Sequence, residues 1–271
     1  MFYSIIIGAI VLYFFFIMPR IFNRPSFQAF LGRYYAHRGL HNDEFPENSM
    51  KAFQLALDHD YGIELDVHLS KDEIPIVFHD FDLKRMCNVD ENINNLTYEE
   101  LKALKLANSN EKIPRLVDVL DLINGKVPLI IEIKARARDD FNLLCDKTSE
   151  VLDEYKGTYC IESFNPIVLL WFKRFKPQVI RGQLSTDFIR DKFKGDSISN
   201  LLLTYLLLNF QTKPDFIAYN HIYKNNLSLK ICRNLYKTMT FAYTIKTEDE
   251  LEKSKDDFHL FIFENFHPKE Y

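Results

Sequence analysis

The 271-residue chain is predicted to be an α/β protein: a TIM-type (β/α)8 barrel with a hairpin extension after its second strand, preceded by one N-terminal transmembrane helix. Three observations predict this. Strand-like apolar runs alternate with helical patterns from residue 34 onward, which implies a parallel sheet. There are nine such runs, one too many for the barrel, and one of them follows its predecessor after only four residues. Residues 2–18 carry no charge, and 15 of the 17 are hydrophobic. The whole chain is 47% hydrophobic and 27% charged, which excludes a disordered, collagenous or coiled-coil protein.

The N-terminal run comes first. A helix of this length spans about 25–27 Å, close to the ~30 Å hydrocarbon core of a bilayer. No basic residue precedes it and no small-residue cleavage pattern follows, which argues against a cleaved leader. No face is polar, which argues against a core helix. The expectation is a single-pass membrane anchor over residues 1–19, entering lipid through residues 2–18, then a juxtamembrane connector over 20–33. The basic residues lie after the run, which favours a cytoplasmic side for the domain that follows. Four cysteines without C-x-x-C spacing suggest neither zinc nor a disulfide framework.

Residues 34–271 form the expected barrel. Its strand-like runs are 34–37, 62–69, 74–79, 127–134, 159–164, 178–184, 215–220, 240–245 and 260–264. Helical patterns cover 49–59, 98–105, 115–123, 139–155, 166–175 and 248–256. Asn48 can cap the first of these, and Thr97 with Glu100 has capping-box spacing. Only Ser70 to Glu73 separate the second and third strand-like runs. A parallel crossover needs about a dozen residues, so the run at 74–79 is the returning arm of a hairpin. Eight strands remain. Residues 1–33 hold three arginines and no acid, so the barrel is more acidic than the overall net charge of −4. A broad nucleic-acid surface is not expected.

Alternation along 62–69 puts Glu64, Asp66 and His68 on one face and Ile63, Leu65, Val67 and Leu69 on the other. The next barrel strand places Ile130, Glu132 and Lys134 together. Inward carboxylates are costly unless paired, solvated or holding a cation. Glu64, Asp66 and Glu132 should converge at the barrel mouth, and an all-oxygen set suits Mg2+ or Ca2+ better than zinc. His37, followed by Arg38, and His79 stand at strand ends. Two imidazoles, two cations and an acidic cluster supply what phosphodiester cleavage requires. One group activates the nucleophile, one protonates the leaving oxygen, and cations neutralise the phosphate.

The runs Ala36-His-Arg-Gly-Leu40, Pro46-Glu-Asn-Ser49, Ala52-Phe53, Glu64-Leu-Asp-Val67, Pro75-Ile-Val-Phe-His-Asp80 and Ile131-Glu-Ile-Lys134 resemble the glycerophosphodiester phosphodiesterase family. Weaker likeness continues at Ser163-Phe-Asn-Pro166, Gly182-Gln-Leu184, Tyr243-Thr244 and Ile262-Phe-Glu-Asn265, so it covers about residues 34–268. The resemblance implies metal-dependent hydrolysis of glycerophosphodiesters to sn-glycerol 3-phosphate and an alcohol. It implies His37 and His79 as the acid–base pair, Glu64, Asp66 and Glu132 as metal ligands, and Arg38 and Lys134 as phosphate-binding cations. Ser163, Gln183 and Tyr243 become candidates for the substrate rim. Glu47 and Asn48 read as helix-start residues, and His41 and His68 as polar support.

Three departures stand out. The hairpin turn is Lys71-Asp72-Glu73 where the family has Asp-Gly, Tyr243 replaces a Trp, and Glu264-Asn265 stands where Thr-Asp is usual. Hydrolysis of lysophospholipids in a phospholipase D manner is the alternative within the family. A catalytically dead binding module is disfavoured, because every core position is filled.

Overall fold

The computed structural model describes residues 2–136, 139–193 and 195–269, so the outermost expected boundaries at 1 and 271 lie outside the described residues. In chain order the elements are α1 (Phe2–Ile17), β1 (Tyr35–Ala36), α2 (Met50–Asp58), β2 (Gly62–Leu69), β3 (Pro75–Val77), α3 (Lys84–Cys87), α4 (Tyr98–Ala103), α5 (Leu116–Ile123), β4 (Leu129–Ile133), α6 (Phe141–Glu154), β5 (Tyr159–Ser163), α7 (Pro166–Phe175), β6 (Arg181–Ser185), α8 (Ser197–Thr204), α9 (Asn209–Thr212), β7 (Phe216–Asn220), α10 (Leu227–Asn234), β8 (Met239–Ile245), α11 (Glu248–Ser254) and β9 (Leu260–Phe263).

Eight strands run parallel in the order β1-β2-β4-β5-β6-β7-β8-β9, and β9 pairs with β1 to close the barrel. The ninth, β3, is antiparallel to β2 through Val67–Val77 and Leu69–Pro75, as the four-residue connection predicts. It can pair there because β1 stops at the level of Ile63, leaving the upper edge of β2 free. The turn between them has no glycine. Glu73 adopts φ 64°, at a cost of about 1–2 kcal/mol for a residue with a Cβ. Ser70 helps to hold the turn: its Oγ donates to Asp72 Oδ1 (2.7 Å) and accepts from the Ile74 N–H (3.0 Å).

Two apolar layers surround the sheet. Outward residues of the strands meet the helices: Ile63, Leu65 and Val67 of β2 and Leu129, Ile131 and Ile133 of β4 share one buried cluster with Phe53, Leu120 and Leu152. The barrel interior is filled separately by Tyr35, Ile130, Cys160, Leu184, Phe216, Phe241 and Ile262. Phe216 and Phe241 stack with centroids 4.1 Å apart. Gly182 makes room for them, since a methyl at that position would lie 2.1 Å from the Phe216 ring. A third cluster around Ile76, Phe78, Leu83, Ile93 and Leu101 gives the excursion between β3 and β4 its own core.

The N-terminal segment differs from the expected anchor. α1 has 16 residues, about 24 Å, and among the described residues no helix is long and apolar enough to cross a membrane. Residues 2–12 are exposed, but the last turns are part of the barrel wall. Tyr13 Oη lies 2.7 Å from Ser228 Oγ, the rings of Phe15 and Phe16 meet Phe210, and Asn209 and Cys232 both donate to the Ile17 carbonyl. Residues 20–33 lie along the end of the barrel where the strands begin. Arg20 pairs with buried Asp215 at 3.1 Å, and Arg24 donates to the carbonyls of Tyr236 and Lys237. Phe27 and Phe30 enter the interior cluster as its floor, with Phe27 edge-on to both Phe216 and Phe241 at 6.1 Å. These arginines are engaged by the fold.

Other local readings shift by small amounts. The Thr97–Glu100 capping box forms at α4. The cap of α2 is Ser49, which accepts from the Ala52 N–H, and not Asn48, whose backbone is left-handed at φ 55°. α8 and α10 fall where no helix was expected. The leucines of 201–208 form a run rather than a stripe, and Leu227-Ser-Leu-Lys230 alternates with the period of a strand.

Candidate active site

The mouth lies at the C-terminal ends of the strands. β1 delivers His37, whose N–H donates to Phe263 O at 2.9 Å and so continues the strand pairing. Arg38 and Gly39 then turn through left-handed conformations, φ 55° and 79°. This turn aims the Arg38 N–H at Glu64 Oε2 (2.9 Å). β2 supplies Glu64 and Asp66, and β4 supplies Glu132 and, just past its end, Lys134. The register pairs Asp66 with Glu132 on adjacent strands. The hairpin returns His79 to the same end.

The seven expected residues come together. Lys134 Nζ lies 2.7 Å from Glu132 Oε2 and 2.9 Å from Asp66 Oδ1. Arg38 Nε is 3.4 Å from Asp66 Oδ2, and Arg38 Nη1 donates to Glu47 at 2.8 Å. Asn48 Nδ2 donates to Asp66 Oδ2 at 2.8 Å, so Asn48 supports the site rather than the helix cap. His37 Nε2 is 3.9 Å from Glu64. His79 Nδ1 is 2.6 Å from Asp80, which Arg85 holds in turn, and Arg85 also grips Glu47. His68 donates from Nε2 to the His79 carbonyl (3.1 Å) and meets the Phe81 ring edge-on, so it braces the hairpin.

Electrostatics follow from this crowding. Burial, with Asp66 and Glu132 alongside, pushes the Glu64 carboxyl well above its ordinary range. Burial also raises Glu132, against the opposing pull of Lys134. Asp66 is driven up by burial too, but Lys134, His79 and Arg38 outweigh that and hold it well below the usual carboxylate range. Burial lowers His37 to about 4, although its hydrogen bond to Glu264 opposes the shift. The site thus holds more buried negative charge than Lys134 and Arg38 can balance, and protons stabilise what cations do not.

A divalent cation fits that imbalance. Glu64, Asp66 and Glu132 are fully buried, and one oxygen from each can lie within 4.8 Å of the others. Asp66 Oδ1 is buried without a hydrogen-bond partner; Lys134 Nζ is close but outside hydrogen-bonding geometry. A donor set made only of carboxylate oxygens suits Mg2+ or Ca2+. His37, His41 and Glu264 form a second such grouping, but Lys246 Nζ already sits 2.9 Å from Glu264 Oε1 and supplies the positive charge there.

The rim candidates are placed differently from the core. Ser163 Oγ donates to Ile133 O (2.7 Å). The Gln183 amide nitrogen donates to the carbonyls of Ser163, Phe164 and Leu184, and Tyr243 Oη donates to Ser185 O at 2.7 Å. Their donor groups therefore brace β4, β5, β6 and β8 against one another. What this side presents is aromatic: Phe164 meets Tyr243 edge-on, and buried Phe188 packs beneath Phe164 and Phe193. On the opposite side a cleft of about 510 Å3 opens among His68, Phe81, Lys134 and Arg136.

Two residues were missed in the sequence. Glu264 accepts from His37 Nδ1 at 2.6 Å and so fixes which nitrogen faces the mouth; it had registered only as a departure from Thr. Glu162 is buried, one of its oxygens has no partner, and burial with Glu132 nearby raises its carboxyl well above the ordinary range. Two-residue alternation along 159–164 would have found it, because Glu162 is in register with Glu132.

The sequence model of the glycerophosphoryl diester phosphodiesterase family matches residues 37–252. The rat protein lysophospholipase D GDPD1 is 34% identical over 151 residues, 51% of this chain and 46% of that protein. A glycerophosphodiester phosphodiesterase from Bacillus altitudinis is 32% identical over 165 residues, 57% and 67% of the two chains. The match to the mammalian relative thus spans about half of that protein's length. Among solved structures, a phosphodiesterase from Oleispira antarctica in complex with the product sn-glycerol-3-phosphate superposes with a TM-score of 0.72. It is 22% identical, and the match covers 89% of this chain and 95% of that one.

Proposed function

The chain belongs to the glycerophosphoryl diester phosphodiesterase family, and on that premise we propose that it hydrolyses glycerophosphodiesters to sn-glycerol 3-phosphate and an alcohol. The observation that carries the reading is the meeting of two imidazoles, each tied at Nδ1 to a carboxylate, with three buried carboxylates and two cations at one barrel mouth. Glu64, Asp66 and Glu132 would hold a divalent cation, Mg2+ or Ca2+, which when bound neutralises charge on the phosphodiester oxygens. Arg38, whose buried Nε has no hydrogen-bond partner, and Lys134 orient the phosphate. Burial keeps His37 neutral, so its Nε2 accepts the proton of the attacking oxygen. His79 gives a proton to the leaving oxygen as the P–O bond breaks. The test is a panel of glycerophosphodiesters assayed for released sn-glycerol 3-phosphate, with and without Mg2+ and Ca2+. No product with any diester or either ion would overturn the assignment.

A second reading, lysophospholipase D activity, is supported by the part-exposed rings of Phe164 and Tyr243, which could take an acyl chain, and by the name of the mammalian relative. Comparing glycerophosphocholine with lysophosphatidylcholine as substrates decides between the two. We also propose a reducing, cytoplasmic setting for the barrel, supported by four unpaired cysteines.

A further inference from the structure

α1 approaches the barrel in a defined direction. Tyr13 touches Ser228 in the first turn of α10, and Ile17 touches Cys232 one turn further on. α10 follows β7, so it starts at the mouth and runs away from it. α1 therefore runs alongside α10 in the same sense, and residues 2–12 project outward on the mouth side, about 16 Å beyond Tyr13. The connector and its arginines lie at the opposite end. A helix anchored through its connector would have held the barrel floor, not the mouth, toward lipid.

The projecting segment, Phe2 to Leu12, is exposed all round and has no charge. A protein groove would cover one side of such a helix and leave the others wet; lipid covers every side. Its described part, about 16 Å long, is enough to reach half-way into a ~30 Å hydrocarbon core, the depth of one leaflet. A second set of apolar side chains stands at the same end. Ile189 and Phe193 lie in the loop after β6. Ile198 and Leu201 are on α8, which is tied to the mouth because Ser185 donates to Leu203 O and Tyr219 and Asn226 donate to Thr204 O. Ile222 follows β7 directly, and Leu227 opens α10; these two are 68% and 59% exposed. Arg190, 75% exposed, pairs with Asp187 at 3.4 Å, and Lys192 follows Asp191, so polar groups of both signs flank this set at headgroup level.

We propose that this face is a lipid dock: residues 2–12 enter one leaflet, the loops after β6 and β7 rest at the headgroups, and the mouth opens onto the bilayer surface. The dock stands on geometry and surface chemistry alone and does not require the reaction proposed above. Binding is read without turnover, so failure of one is distinguishable from failure of the other.

The test places one environment-sensitive dye at a time on full-length protein through Ile10→Cys, Ile222→Cys or Phe22→Cys, each combined with Cys87→Ser. Phe22 is exposed on the connector and reports the opposite end. With phosphatidylcholine–phosphatidylglycerol vesicles, the dyes at 10 and 222 should shift to the blue and the dye at 22 should not. A shift at 10 and 22 without 222 would overturn the proposal in favour of a floor-down anchor. No shift at any position would also overturn it, as would a shift at 10 accompanied by doubling of mass without lipid, which would make a second copy the occupant. The triple variant Ile198→Glu, Ile222→Glu, Leu227→Glu should lose vesicle binding several-fold while hydrolysing water-soluble glycerophosphocholine at the original rate. Undiminished binding by that variant would remove the rim from the dock.

Discussion

The two ends of the barrel interior are built by the same strands with opposite chemistry. β4 places Ile130 among the aromatics of the lower interior and, two residues on, Glu132 among the charges of the mouth. β5 repeats this with Cys160 below and Glu162 above. The lower end gains stability from apolar burial and asks nothing of its residues except shape. The upper end spends stability, because Glu64, Glu132 and Glu162 are buried with too few cations to balance them. Mutations should therefore separate the two ends, with loss of activity at one and loss of folding at the other.

The largest separation is expected from His79→Ala. Turnover should fall by about 10²–10⁴-fold, the usual contribution of a proton-transfer group, with an unchanged melting temperature. Retained turnover would show that the ring is a bystander. Phe216→Ala is the counterpart below. Loss of the stacked pair with Phe241 should cost about 3–5 kcal/mol in urea unfolding, while kcat of the still-folded fraction stays near the original. A parallel fall in kcat would mean that the two ends are mechanically coupled. Glu264→Gln should lower kcat by roughly tenfold and leave KM in place, because an amide oxygen still accepts from His37 but stabilises its protonated form less. If KM rises instead, Glu264 contacts substrate.

Smaller effects sharpen the comparison further. Burial lowers His68 to about 4, below the roughly 6.5 of an exposed ring. The unfolded chain then binds the extra proton between those values, so this residue's contribution to stability is full above about pH 6.5 and is lost as pH falls toward 4. The stability difference between the parent and His68→Gln should shrink on acidification through that window, and a flat difference would contradict it. The smallest change is expected for Glu162→Gln. Burial pushes this carboxyl well above its ordinary range, toward the neutral form with which an amide is nearly isosteric, so turnover and melting temperature should barely move. A large loss of activity would mean that Glu162 works as a carboxylate.

Much of the upper end was legible because catalysis constrains residue type and spacing together. Glu64 and Asp66 two apart on one strand, and Glu132 and Lys134 two apart on the next, can be read from period-two alternation alone. The hairpin was legible because four residues cannot make a parallel crossover. The lower end was not. Phe27 and Phe30 lie in a stretch without periodicity, and their partners Phe216 and Phe241 are some two hundred residues away. α8 and α10 were hidden because their apolar residues form runs or alternate, so tertiary packing decided their helical state. The length and hydropathy of residues 2–17 were visible, but not that Tyr13 and Ile17 would be claimed by α10, which shortens the free part of the helix.

The floor formed by Phe27 and Phe30 bears on how the molecule could be shortened. Residues ahead of the first strand look like a removable leader, and trimming to residue 34 is the natural choice for a soluble version. Such a chain would be a tube open at its lower end. Water would reach Phe216, Phe241 and Tyr35, Tyr35 Oη would lose the Phe30 carbonyl to which it donates, and Asp215 would lose Arg20. A cut after residue 12 removes the free part of α1 and leaves the cork in place.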